Sequence, residues 1–76
     1  MKVDLKPRFD FIHIQYLETD TCWYSFTIYS DGSVGYEEEC FPIAYGREAS
    51  KEEVRLVIKI LEYALRKVKE RYGIGD

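Results

Sequence analysis

The C-terminal third of the chain constrains the fold most, because it combines a helix-start signal with a long helical repeat of apolar residues. Ser50 stands three residues before Glu53, the spacing of a capping box in which each side chain binds the backbone N–H of the other residue. Basic residues crowd the last turns and Gly73 follows them, as expected at a helix C-terminus. The sequence therefore predicts one helix between Ser50 and Gly73, with an apolar stripe that covers a sheet. The stripe consists of Val54, Val57, Ile58, Leu61, Ala64, Leu65, Val68 and Tyr72.

The segment before the helix favours strands, because β-branched and aromatic residues predominate and turn residues interrupt them only twice. The predicted strands are Arg8–Leu17, Cys22–Tyr29 and Ser33–Cys40, separated by turns at Glu18–Thr21 and Ser30–Ser33. Short connections require antiparallel neighbours. Phe41–Arg47, broken by Pro42 and Gly46, is predicted to be the crossover to the helix. The predicted fold is a single α+β domain over residues 1–76: a three-stranded antiparallel β-meander packed on one C-terminal α-helix (βββα).

The apolar pattern also predicts the register of the second hairpin. A two-residue loop at Asp31–Gly32 would place Phe26 opposite Glu37, which pairs an apolar face with an acidic one. A three-residue loop with a left-handed glycine in a G1 bulge places Phe26 opposite Tyr36 instead. We therefore predict the bulged hairpin.

The chain carries more apolar surface than one helix and one sheet can hide. A single helix covers only one side of a sheet, so the opposite side, here called the reverse face, stays open. A chain of 76 residues is also short enough for association to be a common source of stability. We therefore predict a non-enzymatic interaction module that forms a homodimer. The predicted interface uses the reverse face, a helix flank, or both. The interface residues are Phe9, Phe11, His13, Trp23 and Tyr29 on the reverse face and Leu56, Ile60 and Tyr63 on the flank; Leu17 is also predicted to lie on the reverse face.

Two alternatives remain for this surplus apolar surface. Lys2–Leu5 and the Phe41–Tyr45 crossover could wrap around the subunit and hide part of it. An unknown protein partner could cover it instead of a second copy.

The two cysteines become cross-strand neighbours in the bulged register, with Cys22 opposite Cys40. Two free thiols are the first interpretation of this pair, a disulfide is the second, and a redox or metal role is the third. His13, the only histidine, points by strand alternation to the other side of the sheet from both cysteines. We therefore predict no metal site and no cofactor.

Two minority functions use the reverse face. His13 and Glu37 share it, so a small enzyme based on this pair is an alternative, although no nucleophile with a recognisable partner accompanies them. Its aromatic residues could instead stack the bases of a single-stranded nucleic acid. The acidic Glu37 and Glu39 and a net charge of −3 argue against that partner. The Glu37–Glu39 run is interpreted as a solvated edge strand.

Hydropathy gives an expectation about the cellular compartment. No apolar run approaches the roughly 18 residues that span a bilayer, and Met1–Leu5 lacks the long apolar core of a signal peptide. We therefore expect a cytoplasmic protein without a membrane partner. The lysine- and glutamate-rich helix is typical of thermophilic proteins.

Overall fold

The computed structural model describes residues 8–75, which form a four-stranded antiparallel sheet followed by one helix. The strands lie side by side in chain order, so the sheet is a meander. The elements are β1 (Phe11–Glu18), β2 (Cys22–Tyr29), β3 (Val34–Cys40), β4 (Ile43–Glu48) and α1 (Lys51–Tyr72). The predicted α+β class, the meander and the C-terminal helix are confirmed, but the sheet has four strands rather than three. The alternative in which Lys2–Leu5 covers the sheet lies outside the described residues.

The additional strand, β4, occupies the segment for which the sequence predicts a crossover. Phe41 and Pro42, joined by a cis peptide bond, form the tight connection from β3, and Gly46 lies within β4 rather than ending it. The β-branched and aromatic side chains of Ile43 and Tyr45 are the strand signal in this segment. Because β4 is now the edge, the Glu37–Glu39 run lies on an interior strand, and its interpretation as a solvated edge is wrong.

The β2–β3 hairpin has the predicted bulged register. Phe26 lies opposite Tyr36, and Gly32 adopts a left-handed φ of 91°, which L side chains rarely tolerate. The Asp31 carboxylate accepts hydrogen bonds from the Ser33 backbone N–H (2.9 Å) and hydroxyl (2.7 Å). These bonds favour the charged form and hold the pKa of Asp31 below its ordinary value. The turn chemistry that the sequence predicts therefore fixes which residues face each other across β2 and β3.

A β-bulge in β1 changes the predicted faces of its last residues. The register with β2 shifts between Gln15 and Leu17, which leaves Tyr16 as the extra residue. Leu17 then pairs with Tyr24 on the helix-facing side, so its predicted place on the reverse face is wrong. Glu18 instead comes opposite Trp23 on the reverse face.

The helix begins at the predicted capping box and is tied to β4 by an ion pair. The Ser50 hydroxyl accepts from the Glu53 N–H, and the Glu53 carboxylate accepts from the Ser50 N–H. The same carboxylate accepts two hydrogen bonds from Arg47, at 2.7 and 2.9 Å. The Arg47 guanidinium also lies 4.4 Å from the centre of the Tyr36 ring. The hydrogen bonds from Arg47 and Ser50 lower the pKa of Glu53 to about 2.

This ion pair predicts a pH dependence of stability. Because the pKa of Glu53 is lower in the folded chain than the ordinary 4.5, its contribution is complete above about pH 5 and disappears as the pH falls towards 2. We expect Glu53→Gln, which keeps the capping geometry, to cost about 1 kcal/mol at pH 7, since solvent screens the half-exposed Arg47. Urea denaturation from pH 7 to pH 2 should show the two proteins converging in stability. The exposed Glu52→Gln is the control, and an equal loss in both variants would contradict the assignment.

The apolar core lies at the end of the sheet next to the β2–β3 turn. Its buried side chains are Phe26, Ile28, Val34 and Val57, with Ile14, Tyr36, Ala49, Val54 and Leu56 packed against them. Phe26 also contacts the Tyr16 and Tyr36 rings, whose centres lie 5.7 and 5.6 Å away. Only the first turns of α1 therefore contribute to this core.

The predicted stripe of the helix does not cover the sheet beyond its first turns. Val54 and Val57 reach the core, whereas the stripe residues from Ile58 onward are exposed. Leu56, predicted to lie on an open flank, packs against the core instead. The Cα radius of gyration is 15.4 Å, against about 11 Å for a compact chain of this length. The helix extends past its contacts with the sheet, which leaves its distal apolar side chains in solvent.

Candidate functional site

The reverse face is the side of the sheet that the helix does not contact. Strand alternation and the observed register place fourteen strand residues on it. They are Phe11, His13, Gln15 and Glu18 on β1; Trp23, Ser25, Thr27 and Tyr29 on β2; Gly35, Glu37 and Glu39 on β3; and Ala44, Gly46 and Glu48 on β4. Four of these residues are glutamates and none is lysine or arginine.

A hydrogen-bond network occupies the centre of this face. The Thr27 hydroxyl donates to Glu37 Oε2 (3.2 Å), and Ser25 donates to the same oxygen (3.3 Å). His13 Nδ1 lies 3.4 Å from the Thr27 hydroxyl. Because the Thr27 proton is directed at Glu37, we assign Nδ1 as the donor to Thr27.

The direction of these bonds bears on the enzyme alternative. The structure does bring His13 and Glu37 together, through Thr27. An activated nucleophile, however, must donate its proton to the base that removes it. Ser25 and Thr27 both donate to the Glu37 carboxylate rather than to the His13 imidazole. The network therefore does not place His13 as the base for either hydroxyl.

Aromatic rings surround this polar centre. Trp23 is 45% exposed and lies between two carboxylates, with Glu18 opposite it on β1 and Glu39 opposite it on β3. Tyr29 and Phe11 face each other at the other end of the sheet, and both are exposed. Phe9, just before β1, is exposed as well. The predicted reverse-face residues are thus accessible. Glu18 and Glu48 were not predicted on this face, because Glu18 lies there only through the β1 bulge and Glu48 only through the unpredicted strand β4.

Two of the surface depressions on the reverse face combine at least one aromatic residue with at least one carboxylate. The first is lined by His13, Gln15, Trp23, Ser25 and Glu39. The second runs over Gly35 and Gly46 beside Tyr29, Glu37 and Glu48. Arg47 also borders the second depression, but its guanidinium is bound to Glu53.

A second exposed surface lies on the helix. Its residues recur at alternating steps of three and four, the spacing of a coiled-coil interface. We call this surface the helix seam; it comprises Ile58, Leu61, Leu65, Val68 and Tyr72, which are 37–72% exposed. Of the predicted flank, Leu56 and Ile60 are half-buried, whereas Tyr63 is exposed and lies beside Arg66.

The helix-facing side of the sheet carries a disulfide between Cys22 and Cys40 at the end away from the core. The Cα atoms of the two cysteines are 4.2 Å apart, and both residues are half-buried. Within residues 8–75, no group of three His, Cys, Asp or Glu side chains could hold a metal ion.

The disulfide predicts a stability difference between oxidised and reduced protein. It links residues 18 positions apart, and the chain-entropy estimate for a loop of this size is about 3 kcal/mol. We expect reduction to lower the free energy of unfolding, measured by urea denaturation, by an amount of this order. The Cys22→Ala/Cys40→Ala protein should match the reduced chain and be insensitive to reductant. Equal stability of the oxidised chain and the double variant would contradict the prediction.

Within the described residues, the structure has no helix with the length and apolarity needed to span a membrane. Comparison with known proteins finds no matching family, no matching curated protein and no matching solved structure.

Proposed function

We propose that the chain is a non-enzymatic interaction module that forms a homodimer through exposed aromatic and aliphatic surface, with the helix seam at the centre of the interface. The observation that carries this proposal is the exposure of five large apolar side chains on one line of α1. Full burial of such side chains contributes about 1.5–3 kcal/mol each, so their joint exposure in a monomer is costly.

The spacing of the seam favours another helix as its partner. Steps of three and four average 3.5 residues, which keeps the same side chains against a partner helix along its length. A second copy supplies an identical seam, and a two-fold axis lets each copy cover the other.

The exposed area is of the size that a stable dimer buries. The chain has an accessible surface of 6832 Å², whereas a folded monomer of 9.0 kDa has about 4,900 Å². The difference is roughly 2,000 Å² per chain, or about 4,000 Å² for two copies, and obligate dimers bury about 2,000–5,000 Å² in total.

Charge favours an antiparallel arrangement of the two helices. Residues 8–48 hold eight acidic and two basic side chains, whereas residues 51–72 hold seven basic and four acidic ones. Antiparallel pairing brings the basic end of each helix near the acidic sheet of its partner, while parallel pairing would bring like charges together.

The proposal is tested by the mass in solution over a dilution series. Sedimentation equilibrium from high to low micromolar concentration should give twice the 9.0 kDa chain mass at the upper end. Thermal unfolding should also shift to higher temperature as the concentration rises. A chain that is monomeric at high micromolar concentration would refute the homodimer.

A further inference from the structure

We propose that the reverse face binds an extended basic segment of a partner protein, with two lysine or arginine side chains in the depressions beside Trp23 and Tyr29. This binding site is separate from the helix seam, because the two surfaces lie on different elements, so peptide binding and dimerisation can be measured separately.

The negative charge of the reverse face favours a positively charged ligand. Its strand residues include Glu18, Glu37, Glu39 and Glu48 and no lysine or arginine. Of these, Glu37 is fixed by Ser25 and Thr27, and Glu18 accepts one hydrogen bond from Gln15 (3.0 Å). Carboxylates held beside exposed rings attract cations and repel the phosphates of a nucleic acid.

The first cation position is over Trp23. A cation is attracted to the face of an indole ring within about 6 Å of its centre. Residues directly opposite in antiparallel strands have Cβ atoms about 5 Å apart, so Glu18 and Glu39 flank the ring from both sides. A guanidinium or ammonium group at this position would contact the ring and a carboxylate together.

The second cation position is over the two glycines. A Cβ atom at Gly35 would lie 3.5 Å from the Tyr29 ring and 3.3 Å from Glu37 Oε1, so the glycine lets both groups lie close to the sheet. Gly46 lies opposite Glu37 on β4, and because it has no side chain, the surface beside Glu37 is open. Glu48 borders the same depression. This position again combines an aromatic ring with carboxylates.

The spacing of the two positions predicts the conformation of the ligand. Trp23 and Tyr29 are six residues apart on β2, about 20 Å in an extended strand. In an extended peptide, residues i and i+6 project to the same side and cover the same distance. Two basic residues at that spacing would reach both positions, whereas a spacing of five would direct one of them away.

Two nine-residue peptides of one composition test the proposal. Both carry two arginines in a threonine and serine background, at positions 2 and 8 in one peptide and at positions 2 and 7 in the other. Trp23 is the only tryptophan, so its fluorescence reports binding at the proposed position. We expect saturable binding of the first peptide at low salt, with the second about fivefold weaker, as one cation–π contact is lost.

Glutamate-to-glutamine variants distinguish binding at the proposed positions from a general effect of the net charge of the protein. Glu39→Gln and Glu48→Gln each remove one carboxylate beside a proposed position, whereas Glu62→Gln removes the same charge from the helix. We expect each reverse-face variant to weaken the first peptide about fivefold or more and Glu62→Gln to leave its affinity unchanged.

Three results would overturn the proposal: no saturable binding, equal affinity for the two peptides, or equal losses in all three variants. A fourth result would overturn it as well: if the peptide dissociates the dimer in sedimentation, the reverse face is the binding surface of the second copy.

Discussion

Replacing Leu65 by lysine is expected to convert the proposed homodimer into monomers while the subunit stays folded. Leu65 is 57% exposed in the single chain and lies at the middle of the helix seam. In a two-fold dimer the substitution occurs twice, and each copy loses about 0.9–1.7 kcal/mol, because association buries only the 57% of Leu65 that the single chain exposes. The dissociation constant should therefore rise by about 20-fold to 300-fold, since 1.4 kcal/mol corresponds to a factor of ten. Sedimentation equilibrium measures the mass, and far-UV circular dichroism measures the helix content.

Tyr63→Lys is the matched control for this substitution. Tyr63 is 56% exposed, nearly the same as Leu65, but it lies on the same helix outside the seam. We expect it to leave the dimer intact. If Tyr63→Lys dissociates the dimer and Leu65→Lys does not, the interface is the flank of the helix rather than the seam.

Replacing Phe26 by alanine is expected to destabilise the fold more than any other single truncation. Phe26 is 1% exposed, is the largest fully buried side chain, and contacts two tyrosine rings. Removal of a buried phenylalanine typically costs about 3–5 kcal/mol, a large part of the stability of a small domain. Urea and thermal denaturation should therefore show an early transition or an unfolded chain at room temperature.

Phe11→Ala removes the same side chain from the reverse face, where Phe11 is 62% exposed, and is the control. We expect its effect to stay within about 0.5 kcal/mol. A cost below about 1 kcal/mol for Phe26→Ala would mean that the small core does not hold the sheet and helix together.

Local signals in the sequence were sufficient for the helix and for the central hairpin. The capping box at Ser50, the left-handed Gly73 and the turn at Asp31–Gly32 depend on residues close together in the chain. Because the β2–β3 loop is short, its conformation also fixes the register of the long-range pairs. These features could therefore be predicted without knowledge of the rest of the fold.

Features that depend on tertiary contacts could not be predicted in this way. The proline and glycine of the β4 segment are local breaker signals, and only pairing with β3 shows that the segment is a strand. The bulge at Tyr16 places an additional aromatic ring on Phe26, which no local pattern indicates. The rotation of α1 depends on how its first turns meet the core, so its periodicity did not identify the buried side.

The candidate site was predicted in part. Strand alternation placed His13, Trp23 and Glu37 on one face, because they lie where the register is regular. Glu18 and Glu48, which make the face strongly acidic, required the bulge and the fourth strand. The charge that suggests a basic ligand therefore became visible only when the whole sheet was assembled.

The β2–β3 hairpin is stabilised at each end by a different kind of interaction. Next to its turn, Phe26 and Val34 are held by exclusion of water, whereas at its open end Cys22 and Cys40 are held by a covalent bond. Denaturants weaken the apolar contacts of Phe26 and Val34 and leave the disulfide intact, whereas thiol reagents act only on the disulfide. Fraying from the open end is thus governed by the redox state of the surroundings, and melting from the turn end by temperature and solvent.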